Sequence, residues 1–546
     1  MRLIAAVLAL LTLATPAQAR EVVDASAPQS MSVTLYRDPA RGTGEAMNRN
    51  WPQGFAMISE TRTVILPPGE STVRFEGVAE GMVGVSAIVT GLPGGTIEKN
   101  RNAELLSPAA LVNGALGNRV TITRTNPATG EARSEQAVVR TRADGGLVLE
   151  TAAGFEAVRC AGLPEGLTFD RVPKGLSASP VFSIDTRDVR GGTYTVTLTY
   201  LAWGFDWQAN YVATLAEPRD NAKGDGAFSM RLLSWLTLLN DNGQSFPDAE
   251  LMVVAGTINV TSNYRALAEP PRAEPLRLTC YPFGSTAEGS DVPFYGPYPP
   301  PPPPPPPPAM YAPAEIMVTG ARMKRAEFDA AAPVSVISAE EEQLGDLKLY
   351  RVPFPVTVAA KGLKQVAFLN QDAVRARYLY EIGCDPWGRY STADDRHDLK
   401  QAQVLLVTRN ETKKGLGMAL PQGAMAVFEP GAYGTQLVAE TNLRDYAVGQ
   451  DVELELGESA QVFSQCAYNG PGDPAEGGAK WRRMRTEINN ANSHPVQVRV
   501  VLGGAGQIEA RWPRRKTEVK DGELVVEVTV PANATERFDW QLRETG

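Results

Sequence analysis

The feature that most restricts the fold of this chain is the alternation of apolar and polar residues in short runs. Residues 31–37, 61–78 and 193–215 show this period of two. Successive side chains of a strand point to opposite faces, so such runs predict half-buried β-strands. The 50 glycines and 42 prolines supply the turns between them. The sequence therefore predicts an all-β protein made of several antiparallel β-sandwich or barrel-like domains.

Particular turns and helices follow from the same pattern. Pro67-Pro68-Gly69 predicts a hairpin between the two runs of residues 61–78. Residues 193–215 predict two strands separated by a turn. Short helices are predicted only near residues 107–113 and 339–343. The strand of residues 252–260 is expected to lie beside residues 347–352, where the patterning resumes after a long interruption.

Composition and patterning together predict the domain boundaries. A segment of more than eighty residues without regular patterning interrupts the last β domain, and its proline content predicts disorder. The predicted organisation is a signal peptide over residues 1–19, an N-terminal β domain over 20–100, a small barrel-like unit over 101–165, a β-sandwich region over 166–262 and 345–546, and a disordered proline-rich loop over 263–344.

The N-terminus has the features of a secretory signal. A positive Met1-Arg2 is followed by an apolar stretch over residues 3–13 and by Ala17-Gln18-Ala19, the small-x-small pattern that signal peptidase cleaves. No later run approaches the roughly 18 apolar residues that a spanning helix needs, so no transmembrane span is predicted after signal removal. We expect an exported protein of the periplasm or cell envelope of a Gram-negative bacterium.

Charge and cysteine content restrict the partners. The net charge is −9, which argues against nucleic acid as a partner because phosphates attract a basic surface. The 4 cysteines predict disulfides in an oxidising compartment, although they allow three pairings. We favour Cys384 with Cys466, because both lie in the last folded segment. Zinc is the alternative, but C-x-x-C spacing is absent, so no metal or other cofactor is predicted.

The motifs of common enzymes are absent from the sequence. Only His397 and His494 could serve as the base of a Ser-His-Asp site, and no G-x-S-x-G, Walker A or H-E-x-x-H pattern occurs. The densest polar group is Asp394, Asp395, His397 and Asp398, which could bind calcium or act as acid and base, although loops rich in charge are usually only solvated. No catalytic residue is predicted, and a hydrolase that uses a pair of carboxylates stays open.

Four separated blocks carry a family resemblance. Residues 198–215, 236–256, 346–369 and 416–429, preceded by residues 103–122, resemble bacterial exported proteins with domain of unknown function forty-one thirty-nine, some of which have a mucoidy-inhibitor-like label. The resemblance covers roughly residues 30–546 without the proline-rich loop. It implies an all-β exported protein of unassigned biochemical role. The aromatic residues Trp203, Phe205, Trp207 and Tyr211 are the densest motif of these blocks, and we expect them in the core rather than in a ligand platform.

The long interruption contains ten consecutive prolines at residues 299–308. In polyproline II these would extend roughly 30 Å, at about 3.1 Å per residue. The following segment, residues 315–342, resembles the N-terminal region of TonB-dependent receptors, including their energy-coupling box. An extended peptide of this kind can add a strand to a partner's sheet. The candidate partner-binding residues are Glu315, Ile316, Met317, Val318, Thr319 and Gly320.

From the sequence we expect a non-catalytic binding or scaffolding module of the cell envelope. Its expected partner is another envelope protein, which would bind by strand addition. One alternative is a carboxylate-dependent hydrolase that acts on envelope carbohydrate or peptide. The other is an accessory protein that contacts a TonB-like partner through residues 315–320.

Overall fold

The computed structural model describes most of the chain between Arg20 and Thr545. The described residues are 20–102, 105–126, 128–141, 144–145, 147–158, 165–173, 176–216, 226–256, 258–260, 266, 268, 277–278, 339–384, 399–469 and 481–545.

One α-helix and a long series of strands form the described chain. Up to the proline-rich region they are β1 (Glu21–Asp24), β2 (Ser30–Tyr36), β3 (Gly54–Leu66), β4 (Gly69–Glu76), β5 (Ile88–Thr90), β6 (Glu98–Asn102), α1 (Pro108–Gly114), β7 (Arg119–Thr125), β8 (Ala132–Val139), β9 (Asp144–Gly145), β10 (Val148–Thr151), β11 (Gly154–Ala157), β12 (Glu165–Thr168), β13 (Val181–Asp188), β14 (Gly192–Leu215), β15 (Ala227–Asn240), β16 (Phe246–Ala255) and β17 (Arg277–Leu278). After it they are β18 (Glu340–Leu344), β19 (Leu347–Arg351), β20 (Val356–Val358), β21 (Gly362–Gly383), β22 (Lys400–Arg409), β23 (Gly423–Gly431), β24 (Gly434–Leu443), β25 (Asp451–Tyr468), β26 (Arg482–Asn490), β27 (Val496–Gly504), β28 (Ile508–Arg511), β29 (Glu518–Lys520), β30 (Glu523–Val530) and β31 (Ala534–Glu544).

The all-β prediction is confirmed. The helix predicted at residues 107–113 is α1, where the Ser107 hydroxyl accepts a hydrogen bond from the Ala110 backbone N–H at 3.1 Å and caps the helix. The helix predicted at 339–343 is wrong, because this segment forms β18. Its pairing with β19, from Glu340 opposite Arg351 to Leu344 opposite Leu347, overrides the helix propensity of its glutamates.

The described chain divides into two units. Unit 2 comprises Asn102–Ser179 and Pro271–Ser335. Its main sheet has the strand order β11-β10-β8-β7-β12, and α1 adds Val112 to a small core with Val120, Ile122 and Leu149.

The predicted signal peptide over residues 1–19 and the candidate residues 315–320 lie outside the described residues.

Unit 1 comprises Met1–Arg101, Pro180–Pro270 and Val336–Gly546. Its N-terminal strands pair with strands far along the sequence: β2 lies parallel to β16, and β3 is antiparallel to β14. A separate sheet has the order β1-β4-β13-β6. Strands β1 to β4 therefore fold together with strands from the middle of the chain.

The hairpin predicted at residues 61–78 is wrong. Both strands exist, as β3 and β4, but β3 pairs with β2 and β14 while β4 pairs with β1 and β13. Val64 of β3 and Phe75 of β4 are both fully buried in one core. The turn at Pro67-Pro68 thus carries the chain from one sheet to the other, since a local turn signal does not specify which strands pair.

The turn predicted within residues 193–215 is also wrong. Strand β14 runs without interruption over 24 residues and changes partner at Gly204, from β3 before this residue to β15 after it. Gly204 has φ of +89°, a left-handed conformation that glycine adopts without strain. The register shift there is a bulge, which bends the strand while keeping it continuous.

The two flanks of the long interruption meet as predicted. Strand β16 is antiparallel to β19, with Met252 opposite Arg351 and Val254 opposite Leu349. The disordered loop predicted over residues 263–344 lies largely outside the described residues. Its last five residues, Glu340–Leu344, form strand β18.

Two hydrophobic cores occupy unit 1. The first includes Val64, Phe75, Tyr200 and Trp207. The second includes Val498 and Trp540.

The predicted disulfide between Cys384 and Cys466 is confirmed, with a Cα–Cα distance of 5.4 Å, and it lies in the second core. Cys160 and Cys280 lie outside the described residues.

Candidate strand-addition site

The hairpin of β23 and β24 has one paired edge and one open edge. Strand β23 lies parallel to β14, from Gly423 opposite Ala209 to Phe428 opposite Thr214. On its other side β23 pairs with β24 from end to end. Among the described residues, the only strand in register with β24 is β23, although β24 also contacts β25. Its outward backbone groups are consequently available to another extended chain.

Apolar side chains are exposed along this open edge. Tyr433, in the turn of the hairpin, is 98% exposed, and Leu437 and Val438 of β24 are 52% and 45% exposed. Glu440 is the single charged residue of β24. Edge strands in soluble proteins are commonly protected by lysine or proline, and the sequence of β24 contains neither.

A β-bulge divides the open edge. Val427 pairs with Ala439 and Phe428 pairs with Leu437, so Val438 has no residue opposite it in β23. A bulge twists an edge strand and redirects the side chain of the extra residue. The open edge therefore consists of two short stretches, residues 434–437 and 439–442, on either side of Val438.

The base of the hairpin is fixed by a buried arginine. Arg37, which follows β2, makes two hydrogen bonds to the carboxylate of Asp445. Asp445 Oδ1 also accepts a hydrogen bond at 2.9 Å from the backbone N–H of Gln422, the residue before β23. Arg37 is only 7% exposed. Because Asp445 follows β24 closely, this contact joins both ends of the hairpin to the β2 region.

A second buried arginine holds the connection between β2 and β3, residues 37–53, against β14. Arg41 Nη1 lies 2.8 Å from Asp206 Oδ2, and Arg41 Nη2 donates to the Trp207 carbonyl at 2.6 Å. The backbone N–H groups of Asp38 and Trp207 donate to Asp206 Oδ1 at 3.2 Å and 2.8 Å. Burial raises the pKa of the Asp206 carboxyl to about 6, although Arg41 and the two N–H groups favour the charged form.

The aromatic residues singled out in the sequence pack in the core. Phe205 and Trp207 are fully buried and Tyr211 is 2% exposed, while the half-buried Trp203 packs on Phe55 with ring centroids 5.2 Å apart. The Tyr211 hydroxyl donates to the Pro421 carbonyl at 2.7 Å. The core interpretation of this motif is confirmed.

The polar residues singled out in the sequence are not brought together by the described structure. Asp394, Asp395, His397 and Asp398 lie outside the described residues, as do residues 315–320. His494 is exposed in the turn between β26 and β27. In the part of the chain that the structure describes, no group of three or more His, Cys, Asp and Glu side chains could hold a metal ion.

An open concavity of about 710 Å³ lies on unit 2 beside the β7–β8 hairpin. Its charged lining is internally paired, since Arg124 forms ion pairs with Glu135 and Glu156, at 2.7 Å in the second case. Arg133 pairs with Glu131 at 3.2 Å. This charge balance leaves little to attract an ionic ligand.

Sequence reasoning missed the open edge and its anchors. Residues 423–443 show two strand-like runs around Gly431 and Gly434, which is a signal for a hairpin. Whether the second strand lies at the edge of a sheet depends on pairings with distant strands. Arg37, Arg41, Asp206 and Asp445 are separated in sequence, and only the fold brings them into two pairs.

No protein-family model, curated protein or solved structure matches the chain. The family resemblance of the sequence blocks therefore stays a prediction. Within the ranges that the structure describes, no helix has the length and apolar character needed to cross a membrane.

Proposed function

We propose that this protein is a non-catalytic binding module of the bacterial cell envelope that accepts an extended segment of a partner protein at the outer edge of β24. The observation that carries this proposal is the open edge of β24, with Tyr433, Leu437 and Val438 exposed beside it. The rigid anchoring of the hairpin by Arg37 supports it, because a preformed edge binds without first being ordered.

Strand addition would supply both affinity and selectivity. Backbone hydrogen bonds to the open edge provide affinity that is independent of sequence, and alternate side chains of the incoming strand provide selectivity. Apolar residues of the partner would cover Leu437 and Tyr433. A lysine or arginine would face Glu440, since opposite charges on neighbouring strands attract.

Export to an oxidising compartment is part of the proposal. It is supported by the disulfide between Cys384 and Cys466, because disulfides persist outside the reducing cytosol. The signal-like pattern of residues 1–19 supports the same compartment.

The test uses the full mature protein and extended peptides selected from a displayed random library. Hydrogen exchange is then measured with and without a selected peptide. We expect slower exchange of the amides of residues 434–442, because the added strand accepts their hydrogen bonds. The double variant Leu437→Lys/Val438→Lys should abolish this protection, since lysine on an edge opposes strand pairing.

The matched control is Val519→Lys, which changes another exposed apolar strand residue, 65% exposed, to lysine. This variant should keep the protection of residues 434–442. The proposal is wrong if no selected peptide protects these amides, or if the Val519 variant loses protection to the same extent as the double variant.

A further inference from the structure

A second surface of unit 1 has a different chemistry. Strands β26, β31 and β28 lie side by side in antiparallel register. Met484, Trp540 and Leu542 point from them into the second core. The opposite side of these three strands, here called the arginine face, carries charged side chains. They are Arg483, Arg485, Glu487, Glu509, Arg511, Arg537, Asp539 and Arg543.

Every acid of the arginine face already has an arginine partner. Asp539 pairs with Arg485 at 2.9 Å. Glu509 pairs with Arg543 at 2.6 Å. Glu487 pairs with Arg537 at 2.7 Å. The charge of Arg483 also lowers the pKa of Asp539, but none of these three carboxylates forms an ion pair with Arg483 or Arg511.

Arg483 and Arg511 are exposed, and neither has a salt-bridge partner among the residues that the structure describes. They flank one residue: Gln541 of β31 lies opposite Arg483 on one side and opposite Arg511 on the other. Neighbouring strands are about 4.8 Å apart, so the two arginine backbones are about 10 Å apart. The face therefore presents two unpaired cations with an amide between them.

Trp481 orients one of these cations. The guanidinium carbon of Arg511 lies 4.0 Å from the centre of the Trp481 ring, and that of Arg543 lies 4.9 Å from it. A guanidinium over an aromatic face is held in place while its N–H groups stay able to donate at their edges. The N–H groups of Arg543 are used by Glu509, whereas those of Arg511 are available to a ligand.

We propose that the arginine face binds a short acidic segment of a partner protein, with carboxylates on Arg483 and Arg511 and a hydrogen bond from Gln541. Arginine pairs bind carboxylates through paired, charge-assisted hydrogen bonds, which is a recurring way of recognising acidic motifs. The site uses other strands than the β24 edge and does not depend on that proposal.

The surrounding charges favour a short peptide over an extended anionic surface. Glu487, Glu509 and Asp539 surround the two unpaired arginines, and the whole chain has a net charge of −9. A membrane of anionic lipid or a long polyanion would meet these carboxylates as well as the cations. A segment that has two or three acidic residues reaches the cations alone.

The test measures binding of a labelled six-residue peptide of alternating glutamate and serine, which has three acidic residues, to the full mature protein by fluorescence anisotropy. A peptide with glutamine in place of glutamate is the ligand control. We expect the glutamate peptide alone to bind, and its affinity to fall as salt is raised, since exposed charges are screened. The variant Arg483→Gln/Arg511→Gln should weaken binding about tenfold or more, as expected for lost hydrogen bonds between charged groups.

The matched control variant is Arg49→Gln/Arg119→Gln, which removes two exposed cations from other parts of the chain and changes the net charge equally. It should bind the peptide as the unmodified protein does. Thermal unfolding of both variants verifies that the fold is kept.

Three results would overturn the proposal. The first is equal binding of the glutamate and glutamine peptides. The second is an equal loss in the two double variants, which would indicate an effect of net charge alone. The third is binding of anionic phospholipid vesicles that depends on Arg483 and Arg511 while the peptide does not bind.

Discussion

Two buried arginines form ion pairs in different regions of unit 1, and they differ in how exposed their carboxylate partners are. Arg41 has one carboxylate, Asp206, and the two side chains are 5% and 2% exposed. Arg499 is equally buried, but its three carboxylates, on Glu381, Glu453 and Glu527, are 33%, 21% and 39% exposed.

From this comparison we expect the burial of the carboxylate to decide how much stability is lost when the arginine of an ion pair is removed. A carboxylate that reaches water can be solvated when its arginine is removed, whereas a fully buried one must either carry its charge in a medium of low dielectric or bind a proton. The neighbours of Arg499 also share their acids: Lys520 lies 2.9 Å from Glu453 and Arg377 lies 3.2 Å from Glu527. Among the described residues, Asp206 has no second cation that could replace Arg41.

The largest effect is expected for Arg41→Met. Removing one partner of a buried pair costs about 3–5 kcal/mol, because the remaining carboxyl must either keep its charge in a medium of low dielectric or take up a proton at a pH above its ordinary pKa. The free energy of unfolding at pH 7, measured by urea denaturation, should fall by this amount. The double variant Arg41→Met/Asp206→Leu should recover most of the loss, and equal destabilisation of the single and double variants would contradict the account.

A second prediction concerns pH and the raised pKa of Asp206. The folded-state pKa of about 6 exceeds the ordinary value, so the folded protein binds this proton more tightly than the unfolded chain does. The resulting stability is complete below about pH 4 and is lost as the pH rises through 6, an effect of about 3 kcal/mol at 1.36 kcal/mol per pKa unit. Stability curves of the unmodified protein and of Asp206→Asn should differ by this change between pH 4 and 7.

The Arg499 region should show the opposite sign. Burial would raise the pKa of Glu453, but hydrogen bonds from Arg499 and Lys520 lower it overall. A carboxylate with a lowered folded-state pKa contributes stability above its ordinary pKa that is lost as the pH falls. The free energy of unfolding of Glu453→Gln should therefore fall less at acidic pH than that of the unmodified protein. An unchanged dependence on acidic pH would contradict a stabilising role of the charged Glu453.

A smaller effect is expected for Arg499→Met. The carboxylates of Glu381, Glu453 and Glu527 can be solvated, and two of them keep another cation, so we expect a loss of about 1–2 kcal/mol in the free energy of unfolding. The measurement is urea denaturation under the conditions used for Arg41→Met. A loss as large as that of Arg41→Met would show that partial exposure does not protect this cluster.

The smallest effect is expected for deletion of residues 281–335. The strands that flank the interruption, β16 and β19, pair directly with each other. Because the entropy of loop closure varies only with the logarithm of loop length, shortening the connection should change stability by less than about 1 kcal/mol. The melting temperature should shift by only a few degrees, and both arginine regions should keep their pH dependence. Collapse of the fold would show that the segment contributes to the described body.

The sequence predicted local structure well and pairing poorly. Alternation located β3 and β4, and a short helix was correctly predicted at α1. The same signals placed a hairpin between β3 and β4 and a turn inside β14, which are both wrong. Hairpin signals report the geometry of a turn, whereas strand pairing is decided by the side-chain packing of distant segments.

Among the candidate sites, the sequence correctly predicted the disulfide between Cys384 and Cys466 and the burial of Trp207. Both predictions depend mainly on residue type: cysteines of an exported protein form disulfides, and aromatic residues of strands are usually buried. It did not identify the edge of β24 or the arginine face. Leu437 and Arg511 look in sequence like many other strand residues, and their significance comes from which neighbours are absent.

What the sequence by itself determined is the class of structure: period-two patterning with frequent glycine and proline allows sheets and excludes a helical body. The return of β19 to β16 also followed from the sequence, because interrupted patterning resumed there. Only the tertiary structure decided which carboxylates are buried, which strand is left at an edge and which arginines lack partners. These properties depend on contacts between residues far apart in the chain, such as Arg41 with Asp206, and no local pattern records them.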